Sequence, residues 1–352
     1  MKKSKITQYL LYLFIGIIVY TALLYVLVDH ESKHPDASIN GWKDAIWYST
    51  VTLTTVGYGD MVPMTSVGRV IGSIFILFSM GLYGLLIGQF AAVLNTYKEN
   101  KRLGMNGTHF QNHVVIIGWT DFGKAVTDQL VAAGRNVAIV TQEKDNIDII
   151  REYYGAKDVF VLFSDYNNLE SLQKVNIDDC SVVFVNLQDD TEKLVYILNL
   201  KKSVEDLTYI VTLDNANLKN TFITAGVTYA ISKHEISSKL LASYIFEPDV
   251  AQYSEEIISY ATNDDEHDIK QFVILDDNPY CGLPYEEVFF KLKSECNAVL
   301  IGIVKTENGQ KKLYKNPETG VVVEEGDYLI MISNGLSEQK ISDLFHVREG
   351  LL

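Results

Sequence analysis

Two stretches of this chain carry no charged residue, Ile6 to Val28 and Val70 to Tyr97. Each exceeds the ~20 residues that a helix needs to cross a bilayer. A cleaved signal sequence does not fit the first run, which is too long and lacks a small-residue cleavage site. Lys2, Lys3 and Lys5 precede the first run, and Lys98, Lys101 and Arg102 follow the second. The segment between them holds mixed charge, with Asp29, Glu31, Lys33, Asp36, Lys43 and Asp44. The positive-inside rule therefore predicts a multi-pass protein of the cell (plasma) membrane with both termini in the cytoplasm. No arginine-rich span is present, so steep voltage sensing is not expected.

The connecting segment contains "GWKDAIWYSTVTL", residues 41–53, then "TTVGYGD". Trp42, Ala45, Ile46, Ser49 and Leu53 recur at helical spacing, which predicts one shared face. The helix is too short to span and suits a half-helix that dips in and stops. Irregular backbone at membrane depth is tolerated only when buried in protein or lining a watery path. The loop must then face a pore, and its carbonyls need partners. Potassium ions supply them: the carbonyls of Thr55, Val56, Gly57 and Tyr58, with the Thr55 hydroxyl, can replace the hydration shell of K⁺. Gly57 and Gly59 permit backbone angles that a Cβ resists. The half-helix directs its partly negative C-terminal end at the cation.

On these residues, "TTVGYGD" resembles the selectivity filter of potassium channels, Thr55, Val56, Gly57, Tyr58, Gly59 and Asp60. Trp47 and Tyr48 resemble the family's aromatic cuff, which implies that Trp47 donates to Asp60. Val51 stands where some relatives carry a carboxylate behind the filter. One loop cannot encircle an ion, so a homotetramer in membrane lipid is expected. In the second span, Gly81 and Gly84 are hinge candidates. Gly84, Gly88 and Ala92 also form a small-residue row suited to helix packing. Related channels often hinge one turn earlier, where this chain has Ser79.

Beyond Lys98 the pattern changes to that of a soluble α/β protein. The net charge of −15 argues against a nucleic-acid partner. Cys180, Cys281 and Cys296 show neither metal spacing nor a disulfide framework. "HVVIIGWTDFGKAVTDQLVAAGRNVAIVTQE", 113–143, reads strand, tight turn, helix, strand. Further strands are expected at 159–163, 181–186, 209–213 and 229–231, with helices near 145–154, 167–175, 190–203 and 216–225. Residues 268–348 read as a small mixed lobe with hairpins and a turn at Asn308-Gly309. This order resembles the RCK (regulator of potassium conductance) module. The resemblance implies lobes that pair into a ring and pull the inner helices when ligand binds. A start at Met105 would supply extra soluble RCK subunits for an eight-lobe ring.

The gating ligand has two readings. "GWTDFG" offers Gly118, Thr120, Asp121 and Gly123 as a degraded dinucleotide turn, with Thr120 where a second glycine lets the backbone approach a pyrophosphate. Thr141 holds the register of the ribose-binding acid, and Glu143 follows two residues on. The ligand would then be an adenine nucleotide or NAD; the turn is equally readable as plain helix–sheet packing. The rival is Ca²⁺. Asp165 matches one acid of the calcium-gated members, but Leu213 and Asn215 replace two others, and Asp214 is expected on the opposite strand face. "NDDEHD", 263–268, offers oxygen ligands to a divalent cation, but such a run more often reads as a solvated acidic linker. No pattern supports a cyclic dinucleotide.

The expected fold is membrane α plus an α/β Rossmann-type RCK domain with a small α+β C-terminal lobe. Residues 1–98 form the pore domain, with spans near 6–28 and 69–97, a pore helix near 41–53 and a filter at 55–60. A linker covers 99–112, the Rossmann lobe 113–233, a helical crossover 234–262 and the C-terminal lobe 263–352. The expected function is a K⁺ channel gated by its RCK domains, with no chemical step. A membrane-anchored NAD-dependent oxidoreductase would need a catalytic His, Lys or Tyr and an intact glycine turn. A transporter subunit with an RCK regulator would need more spans.

Overall fold

The computed structural model describes residues 2–204, 207–261, 263–307, 310–318, 320–347, 349 and 350. The Asn308-Gly309 turn lies outside them. Two compact units divide the chain, 1–99 and 100–352.

The first unit holds helices α1 (Lys2–Glu31), α2 (Trp42–Leu53) and α3, which runs over Ser66–Arg102. Both long helices extend past the expected spans. Leu24 and Leu27 of α1, Ala45 and Tyr48 of α2, and Ile71 and Phe75 of α3 form one small core. The Tyr20 hydroxyl of α1 and Ser49 of α2 share a 2.7 Å hydrogen bond. The face of α2 that packs carries Ala45, Tyr48, Ser49 and Val51. The expected face is therefore corrected: Trp42 and Ile46 are exposed. Apolar spacing marks contact with anything other than water, and lipid or a neighbouring chain satisfies it as well as a core does.

Helix α3 is divided in its packing. Ser79 is buried, but every residue from Met80 to Lys98 is exposed within the single chain. A Cβ built at Gly81, Gly84 or Gly88 would meet nothing. Among the described residues, nothing packs against these glycines.

The second unit begins with a six-stranded parallel sheet, in spatial order β3-β2-β1-β4-β5-β6. In chain order its elements are β1 (Val114–Ile117), α4 (Asp121–Ala132), β2 (Val137–Thr141), α5 (Lys144–Tyr153), β3 (Val159–Phe163), β4 (Val182–Val185), α6 (Asp190–Lys201), β5 (Thr208–Leu213), α7 (Lys219–Thr224) and β6 (Tyr229–Ser232). Near-continuous Val/Ile runs in β1 and β2 are buried on both faces, as a helix-covered parallel sheet requires. This is the doubly wound order, whose reversal lies between β1 and β4. Leu169–Val175, expected as an α-helix, is a 3-10 helix. The expected 216–225 helix is a 3-10 turn followed by α7. The crossover is two helices, α8 (Lys233–Phe246) and α9 (Pro248–Ile258), broken at Glu247, because Pro248 cannot continue a helix but can begin one.

The C-terminal lobe is a four-stranded antiparallel sheet in order β7-β10-β8-β9, from β7 (His267–Val273), β8 (Val299–Glu307), β9 (Gln310–Lys315) and β10 (Tyr328–Asn334). Helices α10 (Tyr285–Lys291) and α11 (Gly335–Phe345) cover it, around Phe272, Leu329, Met331 and Phe345.

The end of α3 is tied into the second unit. Leu103 is buried, and its carbonyl accepts from the Phe163 amide of β3 at 3.0 Å. Arg102 donates to Asp148 of α5, and Arg151 donates to the Lys101 carbonyl. Gly104 follows with φ +76°, and a Cβ there would lie 2.2 Å from the Val161 carbonyl oxygen. Gly104→Ala adds left-handed strain to a backbone collision, and should destabilise the second unit by about 2–4 kcal/mol. Thermal melting of the purified full-length variant tests this; an unchanged melt would mean that the junction yields freely.

His113 precedes β1 and is fully buried, with its Nε2 2.8 Å from the Val175 carbonyl. Burial holds its imidazole below the ordinary 6.5. An unfolded chain takes up this proton more readily, so His113 should weaken the fold as pH falls below about 6.5. Denaturant titrations at pH 7.5 and 5.5 should show a smaller pH difference for His113→Gln than for the native chain.

Candidate functional site

The loop after α2 is built by backbone angles that alternate in sign. Thr55, Gly57 and Gly59 have φ of +60°, +59° and +75°. Alternation of left- and right-handed residues turns successive carbonyls to the same side. The glycines adopt these angles readily. Thr55 does not, since a β-branched residue there is a genuine outlier. The sequence pointed to the two glycines and missed this third position, because nothing in a threonine's chemistry announces it.

The amides and carbonyls of this loop are treated differently. The Thr54 amide donates to Thr50, Thr55 to Thr52, and Val56 and Gly57 both to Val51, at 2.9–3.3 Å. Each acceptor is a carbonyl in the last turn of α2. Among the described residues, no hydrogen bond ends on the carbonyls of Thr55, Val56, Gly57 or Tyr58. The loop is thus pinned by its donors and presents a row of unpaired acceptors, which at membrane depth demands a cation or water.

Side chains brace the row. Trp47 Nε1 donates to Asp60 at 2.8 Å, and its ring stacks on Tyr58 at 6.0 Å with an 8° interplanar angle. The Tyr48 hydroxyl lies 2.4 Å from where a Gly72 Cβ would sit, so this glycine is a notch for the phenol. Val51 is buried and supports the loop through its carbonyl alone. Thr52, Thr55, Gly57, Ile76, Ser79 and Met80 are among the residues lining an open cavity of about 550 Å³ beneath the loop.

In the second unit the glycine turn sits at the end of β1, beside β4. Gly118 has φ +98°, and a Cβ there would lie 2.6 Å from the Asn186 carbonyl oxygen. A Cβ at Gly123 would lie 2.6 Å from Asn186 Nδ2. That amide donates to Thr120 Oγ1 at 2.8 Å, while the same hydroxyl caps α4 by accepting from the Gly123 amide at 3.1 Å. Both glycines therefore have a structural duty toward Asn186. A bulky replacement at either one damages the turn and cannot by itself separate binding from folding. Asp121 opens α4 and is exposed. Thr141 is buried, and its hydroxyl accepts from the Glu143 amide and from Asn146. The exposed Glu143 is the acid at this edge.

Asp165 serves its own turn, accepting from the Asn167 amide at 2.9 Å and from Gln142 at 3.1 Å. Asp214 lies past the end of β5 and pairs with Lys233 at 2.8 Å, so its expected place on the strand is corrected. Leu213 is in the core, and Asn215 caps a 3-10 turn. Among the described residues, no three Asp, Glu, His or Cys side chains gather as a metal site.

Comparison with known proteins matches these two regions separately. The family described as "Ion channel" matches residues 9–96, and the TrkA-N domain family matches 114–233. The calcium-gated potassium channel TvoK of Thermoplasma volcanium is 24% identical, over 92% of this chain and 91% of its own. Probable potassium channel protein 2 of Methanocaldococcus jannaschii is 21% identical, over 81% of this chain and 83% of its own. Among solved structures, the human SLO3 gating ring superposes with a TM-score of 0.50 at 13% identity. It covers 66% of this chain and 46% of that one, a likeness of fold. These relatives are named as channels, not enzymes. The paired family matches, the near full-length relatives and the carbonyl-lined loop lead to one conclusion: the chain belongs to the potassium channels that carry a TrkA-N (RCK) regulatory domain behind a two-helix ion-channel domain.

Proposed function

We propose that four copies of this chain surround one axis, each contributing the loop 55–60, and conduct dehydrated K⁺ across the plasma membrane. The observation that carries this is the division within the loop: amides tied to α2, carbonyls left for an ion. Rings of such carbonyls replace a hydration shell, and one chain supplies a quarter of each ring. Thr55, Val56, Gly57 and Tyr58 hold the ion; Trp47, Tyr48 and Asp60 brace them. Both termini and the RCK unit face the cytoplasm, by the basic residues flanking the two long helices. Helix α3 bends at Gly81 or Gly84, just past its last buried residue, Ser79.

The RCK unit is the ligand-gated part. Exposed apolar side chains on its surface, including Leu198, Ile223, Tyr229, Ile236, Leu241 and Phe246, support association with other copies. Such association accommodates a ring of RCK subunits, with extra copies from a Met105 start as one source. The ligand class best supported is an adenine nucleotide or NAD, held between Gly118, the start of α4 with Thr120 and Asp121, and Glu143. The left-handed Gly118 at the strand-order reversal and a helix N-terminus beside it are the favourable features. Calcium gates the relative TvoK by its name. Here Asp165 is occupied by its own turn, which weighs against the same ion acting there.

Two outcomes test this. Gly57→Ala keeps open space around the new methyl but opposes φ +59°, and should abolish K⁺ flux into liposomes while the RCK unit stays folded; normal flux would sink the channel reading. Calorimetry on the full-length channel should show saturable binding of ADP, ATP or NAD⁺, weakened about 10-fold or more in Glu143→Gln through loss of a charged hydrogen bond to ribose. Binding of Ca²⁺ alone would move the sensor out of this cleft.

A further inference from the structure

The cleft proposed for the ligand lies where the strand order reverses, beside the first turn of α4. The acids at this edge, Asp121 and Glu143, are exposed. Phosphates arriving there need a cation to meet them. Two lysines of the flanking helices are committed elsewhere. Lys124 Nζ binds Asp128 at 2.9 Å. Lys193 is 1% exposed, and its Nζ lies 2.8 Å from both Asp190 and the Thr212 carbonyl.

Lys233 differs. It opens α8, and its Nζ lies 2.8 Å from Asp214 and 5.7 Å from the ring centre of Phe122, the second residue of α4. That ring stands edge-on to Phe184 of β4 at 6.3 Å. The ammonium is therefore placed against the first turn of α4 by an aromatic ring and a carboxylate. The backbone that carries this carboxylate is anchored: Asp190, paired with the buried Lys193, accepts from the Asp214 amide at 3.1 Å and the Asn215 amide at 2.9 Å. The Lys233–Asp214 pair itself is not anchored. Its side chains are 37% and 50% exposed, and exposed ion pairs are weak. Phosphate oxygens offer a lysine stronger charge-assisted hydrogen bonds. The Lys233 backbone belongs to α8, whose cap Ser232 accepts from the Glu235 amide at 3.3 Å. The same helix carries the exposed Ile236, Leu241 and Phe246.

Resting on the nucleotide reading above, we infer that Lys233 binds the phosphates of that nucleotide and exchanges Asp214 for them when the ligand arrives. The ligand class is then a phosphate-bearing nucleotide rather than a nucleoside. Asp214 is a stand-in anion that holds the ammonium in place and competes with the ligand for it. Because Lys233 is the first residue of α8, the exchange draws on that helix. Negative charge entering the cleft is thereby felt on the apolar surface proposed above for association.

The test measures binding of ADP and adenosine to the full-length channel by calorimetry, in the native chain, Lys233→Gln, Lys233→Arg, Asp214→Asn and the double variant Lys233→Gln/Asp214→Asn. ADP should bind Lys233→Gln about tenfold more weakly. Lys233→Arg should stay near native, and adenosine should bind the native chain and Lys233→Gln alike. Asp214→Asn should tighten ADP about threefold, a gain that vanishes in the double variant because the competitor matters only while Lys233 is present. Saturating ADP should change hydrogen exchange across 233–240 in the native chain and not in Lys233→Gln. Native ADP affinity in Lys233→Gln, or unchanged or lower affinity in Asp214→Asn, overturns the inference. If Lys233→Gln does not assemble, Asp214→Asn decides by the same criterion. ADP binding that falls in Glu143→Gln but in none of these variants sinks this inference and leaves the nucleotide reading standing. A native chain that binds neither ADP nor NAD⁺ sinks both.

Discussion

A backbone carbonyl at membrane depth has to bind something, and the rest of this protein follows from that requirement. Helices answer it internally. The loop after α2 does not, because the amides of Thr54 to Gly57 turn back onto α2 while, among the described residues, the carbonyls of Thr55 to Tyr58 accept no hydrogen bond. A K⁺ ion is a suitable partner, but only for a row held at one spacing. The stacked Trp47 and Tyr58, the Trp47–Asp60 hydrogen bond and the Gly72 notch for Tyr48 supply that rigidity from side chains. The shape of the loop is thus a property of the packing around it as much as of its own sequence.

The second unit answers a different problem, that of giving a soluble signal a mechanical outlet. The central strands of its parallel sheet are buried on both faces. The residues that follow α3 are held within this unit: the Leu103 carbonyl accepts from the Phe163 amide, and Gly104 allows the backbone to pass against Val161.

Much of this was legible in the sequence where a residue type has few structural uses. Two charge-free runs, a TVGYG loop and alternating Val-rich strands with helices left little freedom of interpretation. The less legible features depended on long-range proximity. Glu31 looks like any acid in a connecting segment until the chain brings Gly68 and Thr65 to it. Asn186, far from "GWTDFG" in sequence, turns out to be the group that its glycines accommodate. Trp42 and Ile46 obey helical periodicity yet stay exposed, since periodicity does not say which apolar surroundings a face meets. The break at Glu247 was signalled by Pro248, and the 3-10 character of Leu169–Val175 by nothing local.

The uneven packing of α3 has a geometrical consequence. From Ser79 to Tyr97 the helix is about 27 Å long at ~1.5 Å per residue, and beyond the buried Ser79 every residue of that length is exposed. A helix left unpacked over that length acts as a lever arm. A tilt of about 10° at Ser79 carries Tyr97 sideways by ~5 Å, on the order of an ion with part of its water shell. Small rotations near Ser79 thus become large displacements at Tyr97.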